Sequence, residues 1–211
     1  MYNGYLMDLS VNATSLVIIF VSLIVSISIH EMMHAYVGYK LGDTTAYEHG
    51  RISLNPLRHI DPFLTILLPA ITLILFHAPI LAAKPVPFDP RQVRYDEFGA
   101  AMIAAAGPLT NLVLAILSAA LLTLTAASGI LGDILTIFTV LNVGLFVFNM
   151  IPIPPLDGSR VLYAVAPQSV QNVMAQLEQF GFFIIFGLVL FVPGFTTLLY
   201  NINQSILQIL P

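Results

Sequence analysis

Five stretches of the chain carry no Asp, Glu, Lys or Arg: residues 9–30, 62–83, 98–132, 134–156 and 179–211. Each matches the ~20 helical residues that cross a hydrocarbon core, which predicts an all-α polytopic membrane protein with about 4–6 membrane segments. Residues 13–38 read as the first membrane helix, stopped by Gly42 and Asp43. The segment 44–54 is β-prone, interrupted by Gly50, and predicts a loose hairpin. Asn55-Pro56 and Asp61-Pro62 bracket a turn-rich connector. The 62–83 stretch is broken by Pro69 and Pro79, and the prolines of 84–90 fix a short membrane-associated extended segment.

In the 98–132 stretch the small residues before Pro108 let helices approach closely, and Pro108 marks a kink or a helix start. Ser128-Gly129 and Gly132-Asp133 predict the next turn, followed by a helix over 134–151 that enters a break rich in proline. Residues 169–192 read as one helix with a polar first half, ended by Pro193-Gly194. Apolar residues at near-helical spacing in 195–210 predict a last helix, either a span or an amphipathic surface helix. No internal repeat is visible.

Composition narrows the class. Only 9% of residues are charged and 58% are hydrophobic, against about 25% charged in soluble domains. Removing the spans leaves no soluble unit, so 1–211 reads as a single membrane-embedded domain with its motifs in 13–165 and C-terminal helices over 166–211. The first apolar run has no positive n-region and leads straight into a polar motif, so it does not read as a cleaved signal peptide. With no cysteine, a metal has only His and carboxylate ligands to use. No basic patch points to nucleic acid.

That motif is His30-Glu31-Met32-Met33-His34. Histidines at i and i+4 share one helical face and reach a single zinc ion, while Glu31 beside the first is placed to take a proton from a water on the metal. The plainer reading is two buried, hydrogen-bonded histidines. It fares worse here because the motif closes a charge-free stretch, and an ionisable group deep in a bilayer costs at least ~2.5–3.5 kcal/mol without a partner. A catalytic zinc needs a third protein ligand. Asp157 is the strongest candidate, since backbone broken by proline at membrane depth is tolerated where it is buried in protein or lines a watery cavity. Its plainer role is to cap a helix beginning near Ser159. Asp133 and Glu178 have turn and helix-surface explanations, His77 reads as an interfacial group, and His49 and His59 read as loop residues.

The zinc motif followed by Asn149-x-x-Pro152-x-Pro154-x-x-Asp157-Gly158, with Gly107-Pro108-x-x-Asn111 between them, resembles the site-2 protease family of intramembrane zinc metalloproteases. The resemblance implies one zinc on His30, His34 and Asp157, Glu31 as general base, and Asn149 holding the substrate or the oxyanion. It implies a transmembrane protein as substrate, hydrolysed within or near its membrane segment and often after a first cut by another protease. The chain departs from many members in showing no recognisable PDZ or nucleotide-sensing domain and in inserting the apolar 62–83 segment. Two rival readings use the same residues: a membrane zinc carrier or sensor without hydrolysis, and a hydrolase of a lipid or other amphiphile. A carrier has no need of Glu31.

The basic residues bear on topology. If every apolar run crosses, Lys40, Arg51 and Arg58 face one side and Lys84, Arg91, Arg94 and Arg160 the other, against the positive-inside tendency, and Asp157 is parted from the histidines. If 62–83 instead dips in and returns, all seven lie on the cytoplasmic side. The sequence therefore predicts a re-entrant 62–83 hairpin in a multi-pass protein of the cell membrane, with its active site toward the cytoplasmic face.

Overall fold

Caps delimit the first helix, α1 (Ala13–Leu41). The Asn12 side chain accepts from the Ser15 N–H at 2.9 Å. At the other end Gly42 takes a φ of 107°, a left-handed conformation that glycine adopts without strain. The computed structural model describes residues 12–59 and 86–211. After α1 come α2 (Thr45–Glu48), α3 (Asp96–Thr125), α4 (Gly129–Asn149), α5 (Asp157–Val165), α6 (Gln168–Glu178), α7 (Gly181–Phe191) and α8 (Pro193–Ile209), with 3-10 turns at Pro56–Arg58 and Pro90–Gln92.

α1, α3 and α4 are long and apolar enough to cross a membrane, and the α6–α7 pair, bent by 83°, makes a fourth span only if counted as one. The described residues thus hold three or at most four of the expected spans. The 62–83 stretch, His77 and the predicted re-entrant hairpin lie outside the described residues.

The three spans pack inside out. α1 buries Ser15, Ser22, Ser26, Ser28, His30 and His34, while Leu16, Val17, Phe20 and Val21 stay exposed. In lipid, large apolar residues face the tails at no cost, and small or polar residues let helices close on one another. α3 follows the same rule, burying Gly99, Ala104, Ala106, Gly107 and Asn111. It runs antiparallel to α1: the Arg94 N–H donates to the Leu41 carbonyl at 2.9 Å, and His34 and His30 meet Ile103 and Asn111 further along. α4 returns antiparallel to α3, with Asn111 beside Asn142 and Ser118 beside Thr139. Ala115, Ala119, Val143, Val147 and Leu207 form an apolar core joining α3, α4 and α8.

Several expectations are corrected. No strand occurs among the described residues, and 44–54 is not a hairpin but the helical turn α2 followed by loop. Asp43 decides this, because its Oδ1 accepts from the Thr45 N–H at 2.9 Å and starts a turn that β-propensity cannot outweigh. Residues 86–89 likewise join no strand. Pro108 does not start a helix, since α3 runs through it. The turn predicted at 128–133 falls at 126–128, leaving Gly132-Asp133 inside α4. Residues 169–192 form two helices. At the break, a Cβ on Gly181 would stand 2.3 Å from the Pro154 carbonyl oxygen, so α7 begins pressed onto the break between α4 and α5. Pro193 ends α7 and also opens α8.

Candidate metal centre

The i, i+4 spacing in α1 turns both imidazoles toward α3 and the start of α5. His30 and His34 are buried, and Asp157 is partly buried. The two Nε2 atoms lie 2.9 Å apart, and Asp157 Oδ2 lies 3.2 Å from that of His30 and 3.4 Å from that of His34. Zinc bonds of ~2.0–2.1 Å in a tetrahedron space neighbouring ligand atoms by about 3.3 Å. The three atoms therefore already describe one face of such a tetrahedron.

Their hydrogen bonding fits as well. His34 Nδ1 donates to the Ile103 carbonyl at 2.7 Å, and His30 Nδ1 donates to Asn111 Oδ1 at 2.5 Å. Rings tied through Nδ1 turn both Nε2 atoms onto a carboxylate oxygen, an arrangement that suits a cation between them. Pro108 has no N–H for the Ala104 carbonyl, which loosens the turn in which Ile103 serves His34. Gly107 brings α3 close: a Cβ there would stand 2.4 Å from His34 Nε2 and 2.6 Å from His30 Nε2.

Asp157 is the first residue of α5 and makes no capping bond, so its plainer role is not the one it plays here. Gly158 places it, since a Cβ at that position would lie 2.3 Å from the Met150 carbonyl oxygen. Beside these groups a cavity of about 610 Å3 opens, lined by Glu31, Asn149, Asp157, Phe182 and residues 86–88. Glu31 is half-buried on its wall. Asn149 donates to the Leu145 carbonyl at 3.0 Å within its own helix and also lines the cavity.

The 86–88 wall of the cavity is tied to the loop that follows α1. Asp43, 2% exposed, accepts from the Asp89 N–H at 3.0 Å as well as from Thr45. Two bonds from the Arg91 guanidinium and one from the Gln92 amide hold the Asp89 carboxyl well below the usual carboxylate range.

The other sequence candidates stand apart. Glu178 pairs with Arg160, and Asp133 sits in the first turns of α4. His49 bonds to the Thr45 carbonyl, and His59 to the Ser53 carbonyl. The sequence reading missed Asn142 and Ser26, which stand behind Asn111. Single polar residues in apolar helices carry no spacing signal.

Fold and site together define a helical membrane protein built around a His, His, Asp group that could hold a metal ion. Residues 123–192 match the profile of peptidase family M50. "Putative zinc metalloprotease YwhC" of Bacillus subtilis is 40% identical over 181 residues, covering 82% of this chain and 78% of its own. Rip2 of Mycolicibacterium smegmatis, with the same printed description, is 30% identical over 172 residues, covering 77% of this chain and 62% of its own. MJ0611 of Methanocaldococcus jannaschii is 33% identical over 133 residues, covering 63% and 62%. No solved structure matches the chain. The chain belongs to peptidase family M50, the site-2 protease family.

Proposed function

We propose that this protein is a zinc-dependent intramembrane endopeptidase that cuts membrane proteins within or near their spanning segments. The observation that carries this reading is the convergence of two imidazole nitrogens and one carboxylate oxygen, next to Glu31, on a cavity among apolar helices. His30, His34 and Asp157 hold one zinc. When bound, zinc polarises the scissile carbonyl and makes water a nucleophile near neutral pH. Glu31 takes the proton of the attacking water and passes it to the leaving amine. Asn149 spends one amide hydrogen on Leu145 and has a second for the substrate carbonyl as it gains charge. A substrate helix has to unwind before its backbone can be attacked, and residues 86–88 offer the freed backbone a wall to lie along.

The protein is an integral membrane protein. We place it in the cell membrane with this site toward the cytoplasmic face, because its seven basic residues gather on one side in that arrangement. Incubating purified protein, and its Glu31→Gln variant, with membrane-spanning peptides and with lipids tests the reading by mass spectrometry. Peptide products that appear only with the unaltered protein are expected. Lipid products, or zinc uptake with neither product, would instead favour the amphiphile hydrolase or the carrier.

A further inference from the structure

Ser26, Asn111 and Asn142 lie on three different helices, and none of them is used in the chemistry above. All three are fully buried. Asn142 Nδ2 donates to the Phe138 carbonyl at 2.8 Å. A backbone carbonyl can only accept, so the amide nitrogen must point that way. The same nitrogen gives its other hydrogen to Ser26 Oγ at 2.9 Å. Asn142 Oδ1 is thereby turned to Asn111, and an amide oxygen also only accepts. The atom facing it, at 2.8 Å, is Asn111 Nδ2. Asn111 must then present its Oδ1 to His30, whose Nδ1 carries the hydrogen. The Nε2 lone pair of His30 is left bare toward His34 and Asp157. One carbonyl in α4 thus sets the direction of each bond as far as the ring in α1.

We infer that Asn142 is a positioning residue for the metal centre. It locks the Asn111 amide and, through it, holds His30 in the single tautomer that can ligate zinc through Nε2. Without Asn142, Asn111 loses the acceptor that fixes its amide, and among the described residues only its bond to His30 opposes a flip. A flipped Asn111 offers His30 a donor, the ring proton moves to Nε2, and the ligand atom is lost. This inference rests on His30 being a zinc ligand.

The test measures zinc affinity of the full chain in detergent by competition with a chromophoric chelator, alongside thermal unfolding of the zinc-free protein. Asn142→Ala is expected to weaken zinc binding measurably, by no more than the about 10–100-fold usual for losing the group bonded directly to a metal-binding histidine, here Asn111. Thr139→Val is the control. It removes the 2.7 Å hydroxyl contact with Ser118 between the same two helices, with no route to His30, and is expected to lower stability and leave zinc affinity unchanged. Equal zinc affinity in Asn142→Ala and unaltered protein, or an equal loss in Thr139→Val, would overturn the inference. A measurement on the unaltered zinc-free protein stands if the variant does not fold. Nitrogen NMR of labelled histidine should show His30 protonated at Nδ1, and a proton on Nε2 would sink the proposal. Should the unaltered protein take up no zinc at all, the ligand role of His30 falls first and this inference with it.

Discussion

Two carboxylates stand beside the same pair of imidazoles, and substitution is expected to separate their roles. Asp157→Ala removes one of three ligand atoms, so metal content and peptide cleavage should fall together. Glu31→Gln leaves the ligand set whole but has no base to offer, which costs about 10²–10⁴ in rate. Metal analysis beside a cleavage assay tells them apart, and full zinc occupancy in Asp157→Ala would remove Asp157 from the centre. Gly107→Ala should empty the centre by a different route, because its methyl carbon would clash with both Nε2 atoms, at 2.4 and 2.6 Å. Normal zinc uptake by that variant would contradict the apposition of α1 and α3. The grouping of His30 with His34 was legible because a helix puts i and i+4 on one face, and that of Asp157 because a carboxylate in broken apolar backbone needs a partner. Gly107 was legible as a small residue but not as the one facing the imidazoles, since that depends on the register of α3 against α1.

Between elements, Asp43 is the joint that ties down the 86–88 wall of the cavity. Asn at this position keeps an oxygen for Thr45 but sets an N–H against the Asp89 N–H. Losing a hydrogen bond to a charged acceptor costs about 1.5–3 kcal/mol. Asp43→Asn should therefore loosen the 86–89 wall and raise KM, while kcat and zinc content hold. Steady-state kinetics on a membrane-peptide substrate would show this, and a fall in kcat with KM intact would refute it. The same residue explains why 44–54 was misread: local β-propensity was visible, but a side chain bonded two residues on sets the turn first. The single helix expected over 169–192 failed for a tertiary reason. Gly181 sits against the Pro154 carbonyl, and only the packed structure shows that glycine there is a seat for backbone.

Across the whole molecule, membrane class was legible from charge alone, because so few charged residues leave no other way to solvate the chain. Topology was harder, since it depends on which apolar runs cross. The described ends of the 42–93 segment meet at one end of the bundle, where Arg94 bonds to Leu41 and Asp89 to Asp43. Single cysteines at Ser53 and Gln92, in a chain that has none of its own, should accordingly label from the same side of the membrane. Labelling from opposite sides would defeat the cytoplasmic placement. That shared neck has a practical corollary. Asp43 and Asp89 are joined there by a direct hydrogen bond, which makes them the natural junctions at which to exchange the stretch between them. Grafting the corresponding stretch of a relative onto this neck should carry over the donor's taste in substrates and leave zinc uptake unchanged.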